Sequence, residues 1–509
     1  MMAKEQQKRA IQLLLILCMA WLFYALDGSV INVLITNHAF LTTFNINAQH
    51  LGLFALFPAV GALIGQIGFA GLVNRTFGRK KTFQIATFLV IFGVILQTFT
   101  DNWPAVLAGR IIMGLGGDTN GLVLGYYVTE VTPKHVRGRA LIFAQQFSSS
   151  FLGIAGTWIA YGISYLPQDK AYSWKVANSL QFVPGVIFFF LIFLLPESPR
   201  WLARKYPEDD GPMLKALASI RALPVSHSEV VSEAKEIRDY DTWHVMHGSV
   251  AWWNIFTQKS LRKRLFHAFI PLLSTQFSGV QVLGIYAVII YQSLGLNSQQ
   301  NALLLGACLQ ILYAGAALCS SYVVEKLGRR VCIVWGSLIN TIGLACITGL
   351  SIGFENDINK IANGWVVAFI VLMTCNYWLF TTGPTVVYIN EIMPSQAREY
   401  GTALANVVPI GLGIALGQKW PTATEQLDAR SYIILLCTSG FSFFINWWFI
   451  VEPKGLSIEH IDKLFGEDDK VGIVREENAG AELNIVTEIS PEEKEELRAQ
   501  HNEHAAPRA

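Results

Sequence analysis

YVTEVTPKHVR occupies Tyr127–Arg137 and YINEIMPSQAR occupies Tyr388–Arg398. Both read Y-x-x-E-x-x-P-x-x-x-R, and Val128 and Val131 of the first are matched by Ile389 and Ile392 of the second. An acid, a proline and a base at fixed spacing, met twice in one chain, predict a duplicated unit. The flanking sequence says what kind. The 509-residue chain is 52% hydrophobic and only 15% charged, against about 25% charged for a soluble domain. Its apolar residues come in long blocks, such as Ile11–Ala25, Phe83–Leu96, Val183–Leu195 and Val366–Thr374.

A bilayer-crossing helix needs about 20 mainly apolar residues. That length predicts twelve spans, at 11–34, 51–72, 82–99, 104–129, 141–163, 175–195, 266–291, 300–323, 332–353, 364–390, 401–418 and 431–450. Backbone amides in hydrocarbon must bond internally, so unbroken blocks read as helices and not as barrel strands. The first span is long, contains Asp27 and is followed by others as apolar, which argues against a cleaved leader. Only five of the 38 Lys and Arg (Lys170, Lys175, Lys360, Lys419 and Arg430) fall at the odd-numbered connections. The positive-inside rule therefore predicts a multi-pass protein with both termini and the 196–265 connection in the cytosol. The net charge of +1 gives no sign of a nucleic-acid partner. The seven cysteines all lie in predicted spans without metal-site spacing and are expected to pack.

The expected organisation is a short cytosolic N-terminus (1–10), a six-helix half (11–195), a cytosolic helical linker (196–265), a second six-helix half (266–450) and a tail (451–509), solvated over most of its length. Within the linker, Met213–Ala222 and His227–Tyr240 read as helical. The opening strings fall at the cytosolic ends of spans 4 and 10, and FGRKK (Phe77–Lys81) and LGRR (Leu327–Arg330) keep the same offset after spans 2 and 8. An all-α membrane protein with two related six-helix bundles around a central cavity is a transporter architecture. In that architecture Arg79, Glu130, Arg137, Glu325, Arg329, Glu391 and Arg398 are expected to form a cytosolic gate, with ion pairs that bridge the two bundles when that side is closed. Helix capping and charge topology are the plainer reading of the same residues.

PESPRWL (Pro196–Leu202), the Gly109–Arg110 pair with Gly114, Gly116 and Gly117, QFSGVQ (Gln276–Gln281), VEPKGLSIE (Val451–Glu459) and LDGSVIN (Leu26–Asn32) occur in order on these spans. With the Tyr127–Arg137 string they resemble the sugar-porter family of the major facilitator superfamily, in its fungal lactose-permease-like branch, over Trp21–Glu459. The resemblance implies secondary active transport of a sugar or polyol, with proton symport. A uniporter or a transporter-like nutrient sensor is the alternative. No enzyme is expected, since nucleotide loop, metal cluster and nucleophile constellation are all missing from the sequence, and no cofactor or metal is implied. A plasma-membrane location is expected; the oligomeric state is not legible.

A charge near the bilayer centre costs about 2.5–3.5 kcal/mol, so Asp27 in span 1 and Arg110 in span 4 are expected to pair, and by resemblance to couple protons. Asp118, eight residues after Arg110, lies outside the usual motif and reads as a hydrogen-bonded packing residue, with a second proton carrier as the alternative. Amides match sugar hydroxyls because each both donates and accepts. By resemblance Gln145, Gln276 and Gln281 would line the cavity, with Tyr286, Asn376, Trp378 and Asn406 as further candidates. For the glutamines an interhelical hydrogen bond is the plainer role. Gly279, Gly284, Gly383 and Pro384 stand where spans 7 and 10 would bend. The family pattern breaks at Thr275 and Gln281 in span 7, Val387 in span 10, Val408–Pro409 in span 11 and Arg75 before Gly78. A pocket so altered need not take a plain hexose.

Overall fold

Long apolar runs without backbone donors to spare become helices, and among the described residues each predicted span is helical over most of its length. The computed structural model describes residues 2–66, 68, 73–132, 137–167, 169–246, 253–295, 298–354, 360–393, 398–454 and 465. The side chains of Arg75, Arg137, Gln145 and Arg398 lie outside the described residues, as do Pro133, Pro394 and the tail beyond residue 465.

The first half holds span 1 (Met2–Leu34), span 2 (Ala48–Ile64), span 3 (Arg79–Phe99), span 4 (Trp103–Val131), span 5 (Arg137–Ile163) and span 6, which is interrupted (Ala171–Ser179 and Phe182–Leu191). The second half holds span 7, broken into Lys259–Phe277, Val280–Ile285 and Ala287–Ser293, then span 8 (Gln299–Leu327) and span 9 (Arg329–Gly353). Span 10 (Lys360–Ile392), span 11 (Arg398–Leu427) and span 12 (Tyr432–Phe449) complete it. Between the halves the described helices are Pro199–Lys205, Gly211–Arg221, Ser228–Met246 and Asn254–Thr257.

Two interruptions matter for the cavity. Gly279 adopts φ +75°, a left-handed conformation that only glycine takes without strain, and it breaks span 7 between Gln276 and Gln281. In span 10, Tyr377–Thr382 winds as a π-helix before Gly383 restarts the α-helix. Elsewhere small residues bring backbones together. A Cβ at Gly114 would fall on the Pro58 backbone, and one at Gly61 on the Ile111 carbonyl, so spans 2 and 4 pack more closely than side chains would allow.

The two halves meet at one end. The end at which span 1 begins and the helices Pro199–Lys205, Gly211–Arg221 and Ser228–Met246 lie is called the basic end, and the other the far end. At the far end Gln299 Nε2 donates to Thr36 Oγ1 at 2.6 Å and Gln300 Nε2 to the Ser164 carbonyl at 3.4 Å, tying span 8 to spans 1 and 5. One apolar core there includes Val33, Leu34 and Phe40 of the first half and Val282, Tyr286 and Leu303 of the second. Toward the basic end the apolar clusters of described residues stay apart. Leu13, Leu17, Phe83 and Val128 pack with first-half residues, and Ile255 and Leu261 pack with Tyr400 and Leu404. Among the described residues the apolar packing shared by the halves lies at the far end, and each cluster toward the basic end belongs to one half.

Three of the seven cysteines, Cys308, Cys319 and Cys437, are exposed, where the sequence suggested packing. Lipid is as apolar as a protein core, so an exposed thiol in a span carries no penalty.

Candidate functional site

Span 1 delivers Asp27 and span 4 delivers Arg110 to the interior of the first half. Arg110 Nη1 donates to Asp27 Oδ1 at 2.5 Å, with Arg110 fully buried and Asp27 4% exposed. A third element holds the guanidinium: Nε donates to the Phe54 carbonyl at 3.0 Å, and the Phe54 ring lies 4.5 Å from Cζ. Arg110 Nη2 has no partner. The Arg110 guanidinium is thus anchored to span 2 whatever the state of Asp27, whereas its own tie to span 1 is the Asp27 carboxylate. Protonation of Asp27 removes the charge from the tie and leaves the anchor.

Further along span 1 from Asp27 a small cavity of about 50 Å³ lies between spans 1, 5, 7 and 8, lined by Ser29, Asn32, Thr157, Val288, Tyr291 and Gly306 among others. Ser29 and Asn32 follow Asp27 on span 1, so a shift of that helix moves the cavity wall. Asn32 Oδ1 is buried without a partner, an acceptor aimed at no protein donor. Neither Asn32 nor Tyr291 was singled out by sequence; the alternation of polar residues at Ser29 and Asn32 on an otherwise apolar helix was the available signal.

The amides and aromatics anticipated for the cavity divide. Gln281 is exposed and lies 3.5 Å from the Tyr377 hydroxyl, across the span 7 break from Gln276. Gln276 presses its Oε1 against Gly413 of span 11. Trp378 is half-buried, with its ring centroid 6.0 Å from that of Tyr377. Three others turn away. Tyr286 is buried and donates to the Gly417 carbonyl at 3.2 Å. Asn376 donates to the Gly336 carbonyl and to Asn340 Oδ1, both at 2.8 Å, and so braces span 10 against span 9. Asn406 bonds the Thr402 carbonyl of its own helix. The side chain of Gln145 lies outside the described residues, but its neighbour Gln146 reaches Thr382 Oγ1 at 3.5 Å from the opposite half.

At the basic end the gate residues do form ion pairs, but each named pair closes within its own half. Arg79 binds Glu130 through two bonds, of 2.9 and 2.6 Å, and Arg329 binds Glu391 at 2.6 Å. The expected bridge between bundles is corrected accordingly: in this conformation the pairs tie span 3 to span 4 and span 9 to span 10. Gly78 and Gly328 are the reason. At φ +88° and +92° they fold the chain back so that each arginine meets the acid of its own half. Glu325 sits in the last turn of span 8, and Arg137 and Arg398 lie outside the described side chains.

Two carboxylates that the sequence reading had not assigned complete these clusters symmetrically. Glu197, after span 6, accepts from the Arg79 and Lys80 amides at 2.9 and 3.2 Å. Glu452, after span 12, accepts from the Arg329 and Arg330 amides at 3.0 and 2.8 Å. Each caps the start of a helix, where backbone N–H groups lack partners. Burial pushes the Glu197 carboxyl up from its ordinary range, against those backbone donors. Ser198 adds a 2.5 Å bond to Glu130. The recurrence of Glu after spans 6 and 12, at the offset of the other repeats, was the signal.

Twelve spans in two six-helix halves, with a cavity lined from both, define a transporter of the major facilitator fold, and comparison places it. A family model described as sugar (and other) transporter matches residues 13–465, so the chain belongs to that family and is a multi-pass membrane transporter, not an enzyme. It is 24% identical over 463 residues to the MFS-type transporter criB of Aspergillus cristatus, covering 88% of this chain and 91% of that one. It is 23% identical over 461 residues to the arabinose-proton symporter of Escherichia coli K12, covering 89% and 92%. Among solved structures, the inward open conformation of the E. coli xylose transporter XylE superimposes with a TM-score of 0.72 at 20% identity, covering 89% of this chain and 99% of that one.

Proposed function

We propose that this chain is a symporter that couples proton entry to uptake of a sugar or sugar-like solute. The plasma membrane is the proposed location, with both termini in the cytosol. The buried Asp27–Arg110 pair, whose acid lies on the span that also walls the cavity, carries the reading. A charge pair in hydrocarbon that served only packing could be replaced by apolar residues at little cost; one whose acid shares a helix with the cavity wall gives a proton leverage over the substrate site. In this assignment the basic end is cytosolic, because Lys and Arg concentrate there. The structure then represents an inward-facing conformation, since the apolar packing shared by the halves lies at the far end.

The cycle runs on the same contacts. With the outer side open, Asp27 takes a proton and releases span 1 from Arg110, while Arg110 stays on Phe54. Sugar hydroxyls exchange bonds with the amides of Gln281 and Asn32, and the halves rock closed over the far end, where Gln299 meets Thr36. Loss of the proton to the cytosol restores the Asp27–Arg110 bond and returns the carrier. The names of relatives support the substrate class: arabinose for the E. coli symporter, and glucose for the Aspergillus flavus transporter mfs1, 27% identical over 434 residues.

The test is uptake of labelled sugars into proteoliposomes. Each proton moving down one pH unit releases about 1.36 kcal/mol. An acid-outside gradient of that size should therefore accumulate the substrate about tenfold with one coupled proton. Uptake that equilibrates and ignores the gradient contradicts symport and leaves facilitation.

A further inference from the structure

Asp118 lies on span 4, eight residues toward the basic end from Arg110, or about 12 Å at 1.5 Å per residue. Its side chain hydrogen-bonds the Gln66 amide, just past Ile64 of span 2. The pair is incomplete as an ionised acid and an amide. Asp118 Oδ2 and Gln66 Oε1 are both buried acceptors without a donor, and Gln66 is only 4% exposed. Two buried acceptors without donors beside one shared hydrogen bond destabilise the fold. One proton on Oδ2 satisfies both: a carboxylic acid and a primary amide close a ring, with N–H donating to the acid carbonyl and O–H donating to the amide carbonyl.

We infer that Asp118 and Gln66 form a proton-binding site, separate from the Asp27–Arg110 pair, in which Asp118 is a neutral acid in this conformation. The proton comes from water and binds Oδ2; no other bond changes. Competing charges are accounted for on each packed element. Span 1 offers Asp27, held by Arg110 at 2.5 Å, and carries Lys4, Glu5, Lys8 and Arg9 in its first turns; span 3 offers Arg79, held by Glu130 at 2.6 Å, with Lys80 and Lys81 beside it at the basic end. Span 2 has His50 at the far end, the 140–160 stretch of span 5 has no ionisable residue, and Arg200, Arg204 and Lys205 of the helix Pro199–Lys205 lie at the basic end. Among the described residues the one side chain acting on Asp118 is Gln66. In the coupled cycle proposed above, and resting on that reading, Asp118 is the next proton acceptor inward of Asp27.

Infrared difference spectroscopy of the full chain in liposomes reads the site without transport, so the symport reading can fail while this one stands. Over mildly acidic to neutral pH, wild type minus Asp118→Asn should show loss of one protonated-carboxyl C=O stretch. Asp27→Asn should retain that stretch. Asn is nearly isosteric with the neutral acid, so the variant should fold. A second variant, Gln66→Leu, keeps the acid but removes its acceptor, and the same stretch should move to higher frequency. Loss of carboxylate bands alone in Asp118→Asn, or an unshifted stretch in Gln66→Leu, overturns the inference and leaves Asp118 an ionised packing residue.

Discussion

Asp27→Asn should abolish gradient-driven accumulation while leaving exchange of internal for external substrate intact. Asn can still accept a hydrogen bond from Arg110 Nη1, which reaches Oδ1 at 2.5 Å, so the packing of spans 1 and 4 survives. What disappears is the group that alternates between charged and neutral. Exchange needs only the rocking of a loaded carrier, whereas accumulation needs the proton to be worth free energy at this site. Across one pH unit the wild type should concentrate substrate about tenfold per proton; the variant should reach equal concentrations on both sides. Full accumulation by Asp27→Asn would remove Asp27 from the coupling.

Arg110→Ala should be the most damaging single change to stability. It strips the buried Asp27 carboxylate of its counter-charge, leaves the Phe54 carbonyl without its donor and opens a void where a fully buried guanidinium packed over the Phe54 ring. Breaking a buried pair from one side costs about 3–5 kcal/mol. Arg330→Ala, which alters an exposed residue at the basic end, should cost about 0–1 kcal/mol. The comparison is read as heat inactivation of substrate binding in detergent. Adding Asp27→Asn to Arg110→Ala removes the stranded charge and should recover part of the loss, the non-additivity expected of contacting residues. Equal losses for Arg110→Ala and Arg330→Ala would show that the pair is not held in a low-dielectric interior.

Much of the fold was legible because a bilayer imposes a length on every apolar run. The repeat was legible because Tyr127–Arg137 and Tyr388–Arg398 mark the same point of each half. The Asp27–Arg110 contact was legible too, since charges in spans have few ways to be satisfied. Side-chain direction was not. Counting faces along span 10 assumes 3.6 residues per turn, but Tyr377–Thr382 is π-helical, with i→i+5 bonding that slips the register. Asn376, before the slip, therefore braces span 9, while Tyr377 and Thr382 meet Gln281 and Gln146. Likewise the left-handed turns at Gly78 and Gly328 decide which acid each arginine meets, and that is a backbone property sequence spacing does not record.

The claim on which the rest depends is that the halves rock about the cavity, with one end opening as the other shuts. Spin labels in a cysteine-free background measure this most directly. Phe77 and Leu327 occupy matched exposed positions at the basic end, and Tyr165 and Ile361 are exposed at the far end. With substrate and acidic pH, the Phe77–Leu327 and Tyr165–Ile361 distance distributions should shift in opposite senses, one lengthening as the other shortens. Two distributions that shift together, or that ignore both ligands, would contradict the account.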